Sequence, residues 1–190
     1  IDVGSTTSSL CNGIVASSSS TSVFSTTTGE IDLTISDNEI MGGYYGIRLY
    51  ASFASRNENV EISGNTLSNV YYYGIYVYYG TDVTIAENNM GDFGSNFAYG
   101  MYPYQVDGLK VTANHVVDVN YGLWAYYPGT TANATISSEI SNNMIQAGNY
   151  GMAVYYGDSV GVYHNTVTGS YSLRDYYNDD NVYIKNNIFV

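Results

Sequence analysis

The sequence predicts an all-β fold, a β-solenoid in which short strands recur in successive coils. Seven asparagines occupy one position in a recurring pattern, apolar-x-apolar-x-x-Asn-x-apolar, with successive spacings of 27, 23, 26, 29, 22 and 22 residues. A period of this size is typical of stacked supersecondary units. Within each unit the apolar residues alternate with polar ones, as Val60 and Ile62 do with Glu61 and Ser63, which indicates strands. The asparagines are Asn38, Asn65, Asn88, Asn114, Asn143, Asn165 and Asn187.

Each coil begins with the strand before the asparagine and continues with a second short strand after it. Stacking successive coils at about 4.8 Å aligns equivalent residues into columns. We expect seven to eight coils, with the asparagines forming a structural ladder at a corner, where they bond along the column and tolerate a left-handed backbone. Pro103 lies in a strand and predicts a local bulge, because proline removes a ladder donor. The second strand supplies an apolar core column: Ile40, Leu67, Met90, Val116, Ile145, Val167 and Phe189.

The third part of each coil is a tyrosine segment such as YYGIYVY around Gly74, in which one tyrosine precedes a small residue and another follows four positions later. Alternation points the second and fourth residues after the small one outward. The direction of the tyrosine before the small residue is left open. The predicted tyrosine face consists of Tyr50, Tyr76, Tyr78, Tyr102, Tyr104, Trp124, Tyr126, Tyr155 and Tyr176.

Two interpretations of this face remain open. In the first, the rings serve only to stabilise the sheet, because neighbouring aromatic residues on adjacent strands contribute about 0.2 to 1 kcal/mol per pair. Broad faces of amphipathic rings also mark contact surfaces, and sugar rings or a second rod would pack against them.

Runs such as ISGNTLSN followed by YGIYV resemble the right-handed parallel β-helix repeat family, the pectate-lyase-like solenoids. The resemblance covers residues 1–190 and implies a single-stranded, right-handed parallel β-helix. That family includes polysaccharide lyases and hydrolases, phage tailspikes, adhesins and carbohydrate-binding proteins, so the fold by itself implies no activity.

The chain is predicted to form one domain over residues 1–190. Strand residues stand at both ends without a polar or helical cap. Uncapped coils expose unpaired backbone and apolar side chains, so we expect either a part of a longer solenoid or a subunit that assembles with copies of itself.

Charge and composition limit the partners. Seventeen acidic residues against five basic ones give a net charge of -12, which disfavours nucleic acid and anionic membranes. The single cysteine excludes an internal disulfide, and no apolar run is long enough to cross a bilayer. The Ser/Thr/Asn/Gly/Tyr-rich composition favours an extracellular or cell-surface location.

Catalytic candidates are few. Arg48 and Arg174 share an outward column but lie five coils apart, about 24 Å, so they do not form the basic cluster that a lyase of this family would use. A glycosidase needs two carboxylates about 5 to 9.5 Å apart. Asp158 and Asp180 fall in one column on adjacent coils, with an expected separation of about 5 Å.

This aspartate pair is the candidate for acid–base catalysis or for calcium binding, and no other cofactor is predicted. Aspartates before strands also serve simply as turn caps. The favoured function is a non-catalytic extracellular rod, structural or adhesive, whose tyrosine face contacts copies of itself, neighbouring solenoid segments or a neutral glycan. The alternatives are a carbohydrate-active enzyme fragment, either hydrolase or lyase, and a soluble polysaccharide-binding module.

Overall fold

The structure is a computed structural model that describes residues 1–17, 29–129, 137–177 and 181–190. Its regular elements are β-strands, and within the described ranges no helix is long and apolar enough to cross a membrane. The strands are β1 (Asp2–Gly4), β2 (Asn12–Ala16), β3 (Thr34–Ser36), β4 (Glu39–Gly42), β5 (Tyr45–Tyr50), β6 (Asn57–Ser63), β7 (Thr66–Ser68), β8 (Tyr73–Ala86), β9 (Asn89–Gly91), β10 (Tyr99–Asp107), β11 (Lys110–Thr112), β12 (His115–Tyr126), β13 (Ser138–Ser141), β14 (Met144–Tyr155), β15 (Val160–Tyr163), β16 (Thr166–Thr168), β17 (Tyr171–Tyr176), β18 (Val182–Lys185) and β19 (Ile188–Phe189).

These strands stack as three parallel faces of a solenoid, which confirms the predicted fold class. The first sheet, which follows the asparagines, pairs β1, β4, β7, β9, β12, β14, β16 and β19 in that order. The tyrosine sheet pairs β2, β5, β8, β10, β12, β14 and β17. The third sheet pairs β3, β6, β8, β11, β13, β15 and β18. Strands β8, β12 and β14 turn a corner and so belong to two sheets each.

The number of coils is slightly lower than the seven to eight predicted, because about six complete turns separate Asn38 from Asn187. The predicted core column is fully buried from Ile40 to Val167. Phe189 is the exception, with 38% of its surface exposed. Its strand, β19, pairs with β16 alone, so the ring is covered from one side.

The asparagine ladder is continuous, and Asn88 shows how one rung is bonded. Its Nδ2 donates to the backbone carbonyls of Ile62 and Ala86, both at 2.9 Å, and to the Oδ1 of Asn114 at 3.0 Å. Its Oδ1 accepts from the backbone N–H and the Nδ2 of Asn65, both at 3.0 Å. The side chain is almost completely buried, so these bonds satisfy polar groups that water does not reach.

The prediction that the asparagines themselves have a left-handed backbone is wrong. The residue before each asparagine adopts that conformation instead. The seven preceding residues have φ between 55° and 65°. A left-handed conformation costs a non-glycine residue roughly 1–2 kcal/mol, which the bonds of the adjacent rung must offset. These residues are Asp37, Gly64, Glu87, Ala113, Asn142, His164 and Asn186.

The prediction of a bulge at Pro103 is also wrong. Strand β10 runs through Pro103 in register with Val77 of β8. Irregular register lies instead between β1 and β4 and at two places between β12 and β14. At the first of these two places, Val116 and Val119 pair with Ile145 and Ala147. One extra residue therefore stands in β12 at Asp118, whose backbone is left-handed.

Removing one rung should destabilise the fold. Asn88→Ala removes the acceptor of two Asn65 donors, so we expect the free energy of unfolding to fall by about 3 kcal/mol. Urea unfolding followed by circular dichroism measures the change. The matched control is Asn89→Ala, an exposed neighbour whose loss should cost less than about 0.5 kcal/mol. Equal losses at the two positions would contradict the role given to the ladder.

Candidate contact surface

The predicted outward columns stand on the outside of the tyrosine sheet. In β8, for example, Ile75 and Val77 are fully buried, while Tyr76 and Tyr78 lie on the outer side, where they are half-buried. Among the nine residues of the predicted tyrosine face, Tyr155 is buried, Tyr176 is exposed, and the other seven are half-buried.

The tyrosines that precede the small residue also point outward, which settles the direction left open by the sequence. Tyr73 contacts the outward ring of Tyr76 with ring centroids 5.0 Å apart, and Tyr99 contacts Trp124 at 5.8 Å. Down this column the centroids of neighbouring rings are 4.5 to 5.9 Å apart. The column consists of Tyr45, Tyr73, Tyr99, Tyr121, Tyr150 and Tyr171.

The small residue itself faces the core, and this explains both its size and the direction of the tyrosine before it. A Cβ atom on Gly122 would collide with Cγ2 of Ile145, and one on Gly151 would collide with Cγ1 of Val167. Because the glycine occupies an inward position next to another inward residue, strict alternation is interrupted and the preceding tyrosine turns outward.

We call the outward rings together the tyrosine layer. In the column from Tyr50 to Tyr155, each ring stacks on the next with centroids 4.5 to 5.4 Å apart and planes within 24° of parallel. Intramolecular stacking therefore occupies most ring faces, and ring edges and hydroxyls remain for a partner. The layer consists of the column from Tyr45 to Tyr171, the predicted face, and the corner residues Tyr79, Tyr127, Tyr156 and Tyr177.

Trp124 fills the middle of the layer. Its neighbour on the next coil is Ala153, whose small side chain is fully buried. The indole reaches across this position and stacks on Tyr155 with centroids 5.0 Å apart. It also meets Tyr121 and Tyr150 edge-on at 5.4 and 5.5 Å.

Arginines stand in the same column on either side of these rings. Arg48 is 2% exposed, and its guanidinium carbon lies 4.7 Å from the ring centroid of Tyr50. Arg174 lies 5.0 to 5.4 Å from three tyrosine rings, and its Nη1 donates to the Oη of Tyr150 at 2.9 Å. Both cations are therefore held by ring faces. They stand five coils apart, and the structure does not bring them together as a basic cluster.

Burial raises the pKa of many phenols in the layer. The pKa of Tyr102 is raised to about 12, chiefly by burial and then by neighbouring phenols. The pKa values of Tyr73, Tyr76 and Tyr99 are raised further, again chiefly by burial. These four hydroxyls therefore stay protonated and neutral throughout the physiological range.

The predicted aspartate pair is only partly described. Asp180 lies outside the described residues. Asp158 accepts a hydrogen bond from Ser159 Oγ at 3.4 Å, and its backbone N–H donates to the carbonyl of Pro128 at 3.2 Å. The residues that the structure describes contain no group of three or more His, Cys, Asp or Glu side chains placed to hold a metal ion.

Asp107, at the end of β10, has a structural partner. Asp107 forms an ion pair with Arg56, with Nη2 and Oδ2 3.3 Å apart, and both side chains are largely buried. Arg56 also donates to the backbone carbonyls of Gly80 and Gln105, at 2.8 and 2.6 Å. This arginine therefore joins three consecutive coils at one corner.

Sequence reasoning missed two features of this surface. Tyr44 and Tyr72 extend the tyrosine layer, since their rings stack at 5.3 Å beside the first column. Asp175 pairs with Val154 of the preceding coil in an inward column; the residue is exposed overall, and its partial burial raises the pKa of its carboxyl. The alternation within SYSLRDY carries the signal for Asp175, because Leu173 and Asp175 both occupy inward positions.

These pKa directions predict a loss of stability at high pH. Burial gives these phenols a higher pKa in the folded protein than in the unfolded chain. Their contribution to the free energy of unfolding is complete below about pH 10, the pKa in the unfolded chain, and it is lost as the pH rises through the pKa in the folded protein. We expect the free energy of unfolding to be independent of tyrosine ionisation at neutral pH and to fall from about pH 10 through the pKa of about 12 of Tyr102.

Ultraviolet absorbance of tyrosinate, recorded during alkaline titration of the folded protein and of protein unfolded in urea, tests this. The folded protein should ionise at higher pH than the unfolded chain. Coincident titration curves would contradict the packing of the layer.

No curated protein and no solved structure matches the chain. A family model described as "Right handed beta helix region" matches residues 11–189, nearly the whole chain, and agrees with the parallel solenoid and its stacked columns. The chain belongs to the right-handed β-helix family.

Proposed function

We propose that this β-helix is a non-catalytic structural or adhesive rod outside the cell or at its surface, and that its tyrosine layer is the contact face. The first partner is another copy of the chain or a neighbouring solenoid segment. The observation that carries the proposal is the continuity of the layer over six coils, from β5 to β17, in one register. A contact repeated coil after coil suits a rod better than a single cleft does.

The chemistry of the layer supports self-association. A phenol hydroxyl both donates and accepts hydrogen bonds, so two tyrosine faces complement each other. All members of the outward columns are described, and none of them is Asp or Glu. The carboxylates that the structure describes lie outside these columns, so copies repel one another least when these faces meet.

The size of the face limits the strength of one contact. Without the corner residues, the face spans five steps along a strand, as from Tyr73 to Tyr78, and five steps between six coils, which gives roughly 16 Å by 24 Å, or about 400 Å². A stable complex buries about 800 Å² on each partner. A pair of faces should therefore associate weakly, and strong adhesion requires repetition along a rod or across a surface.

A neutral polysaccharide is the second candidate partner. Ring edges and hydroxyls remain available along the layer, as at the half-buried Tyr78, Tyr104 and Tyr126, and these suit contact with a sugar ring. We expect any glycan binding to depend on these three residues.

Introducing one charge into the layer should weaken self-association. The change is Tyr78→Glu, and the matched control is Thr84→Glu, an outward position of the third sheet in the same strand, β8. Sedimentation velocity over a range of concentrations measures association. We expect the wild type to associate weakly and more strongly at high salt, because salt screens the repulsion between acidic copies. Tyr78→Glu should weaken association about tenfold, equivalent to about 1.4 kcal/mol.

Circular dichroism must first show that both variants keep the β-sheet spectrum of the wild type. A wild type that remains monomeric at all concentrations and salts would contradict self-association. So would equal association of the two variants.

A further inference from the structure

The outward side of the first sheet carries a histidine beside an exposed methionine. His115 of β12 and Met144 of β14 are paired in register on adjacent coils. The residues that follow them, Val116 and Ile145, are buried in the core, so alternation turns His115 and Met144 outward, and Met144 is 52% exposed. Strands β9 and β16 flank the pair on either side, so this exposure follows from the outward position on the sheet. The column to which both residues belong is Glu39, Thr66, Asn89, His115, Met144 and Thr166.

A hydrogen bond holds the imidazole ring of His115 in one orientation. Its Nδ1 lies 3.0 Å from Oδ1 of Asn89, on the preceding coil. An amide oxygen only accepts hydrogen bonds, so in the neutral ring the proton is on Nδ1 and the lone pair is on Nε2. The two nitrogens of an imidazole point to nearly opposite sides of the ring, so Nε2 faces away from Asn89, toward the coil of Met144. Histidines that bind metals are held in this way, with the second nitrogen donating to an oxygen.

We propose that Nε2 of His115 and Sδ of Met144 bind a soft monovalent cation, copper(I) or silver(I), between two adjacent coils. Thioether sulfur is a soft ligand that selects copper(I), and imidazole nitrogen also suits copper. Both cations accept linear coordination, for which two donors are sufficient. The site goes beyond the contact function proposed above, because it lies on a different sheet and uses none of the tyrosines.

The spacing of the coils matches a linear site. With metal–ligand distances of about 2.0 Å to nitrogen and about 2.3 Å to sulfur, as for zinc, the two donors stand about 4.3 Å apart across the metal. Neighbouring strands are separated by about 4.8 Å. Methionine is unbranched and has three rotatable bonds, so its sulfur adjusts to this small difference. A cation between the two side chains therefore requires no movement of the backbone.

The electrostatics of the surface favour a cation and the donor set selects its type. The net charge of -12 attracts cations to the molecule, and none of the described outward residues of the first sheet is Lys or Arg. Calcium takes six to eight oxygen ligands, and zinc takes three or four protein ligands. One nitrogen and one sulfur satisfy neither ion, so the site should discriminate in favour of soft monovalent cations.

Silver(I) is the probe for the experiment, because it shares the charge and softness of copper(I) and is not oxidised in air. Silver nitrate is titrated into the folded protein in a chloride-free buffer, and NMR follows the imidazole nitrogens and the methionine methyl groups. Nε2 of His115 and the methyl group of Met144 should shift together up to one equivalent, while Nδ1 keeps its proton. Zinc and calcium at the same concentrations should shift neither.

Isothermal titration calorimetry measures what each donor contributes, in a Cys11→Ser background that removes the free thiol as a competing soft ligand. Met144→Leu keeps the size of the side chain but removes the sulfur, and His115→Gln removes the nitrogen ligand. Each should lower the affinity for silver(I) by more than about tenfold. Asn89→Ala leaves both donors in place but releases the imidazole ring, and we expect a loss of about tenfold.

The matched controls change a methionine and a histidine elsewhere. Met41 is 40% exposed on the same sheet, but its partner on the next coil is Ser68. His164 stands at a corner with a left-handed backbone, which asparagine tolerates. Met41→Leu and His164→Asn should leave the affinity unchanged, and circular dichroism verifies that every variant keeps the β-sheet spectrum.

Three results would overturn the proposal. The first is a silver(I) titration that shifts neither His115 nor Met144. The second is equal affinity of Met144→Leu and Met41→Leu for silver(I). The third is a shift of His115 by zinc as large as that by silver(I), because the sulfur would then have no part in selecting the metal.

Discussion

In-register stacking of successive coils is the constraint on which the rest of the structure depends. Parallel strands bond coil to coil on all three faces, and the buried asparagines add a second line of hydrogen bonds at one corner. A shift of one residue would turn every inward side chain outward and break the asparagine contacts at the same time. The ladder thus fixes register in a chain whose surface strands vary widely in sequence.

Register also creates the tyrosine layer. Rings that recur at one position in each coil are placed one above the other at backbone spacing, and this distance suits offset stacking. Mutual packing explains why most of the rings are half-buried and why burial raises the pKa values of Tyr73, Tyr76, Tyr99 and Tyr102. It also explains the character of the face, which is rich in rings, lacks carboxylates in its outward columns and repeats coil after coil in an otherwise acidic molecule.

Spacing and alternation in the sequence were sufficient to predict the solenoid, its core column and the outward direction of residues such as Tyr76 and Tyr78. They were insufficient where geometry departs from simple alternation. Tyr73 points outward because Gly74 beside it turns inward, and nothing in the spacing distinguishes that arrangement from a regular strand. The left-handed residue at the corner was assigned to Asn88 instead of Glu87, because both residue types occur at corners and only backbone angles separate them. The burial of Arg48 depends on rings from two neighbouring columns, a property that a single column does not reveal.

Hydrogen exchange of the asparagine side-chain amides, followed by NMR, tests the role of the ladder most directly. Slow exchange is expected for the carboxamide protons of Asn65, Asn88, Asn114, Asn143 and Asn165, which are buried and bonded to adjacent coils, and fast exchange for the exposed Asn89. Slow exchange at all five ladder residues, with fast exchange at Asn89, would support a continuous line of buried bonds that holds the coils in register. Exchange as fast in the ladder as at Asn89 would contradict it.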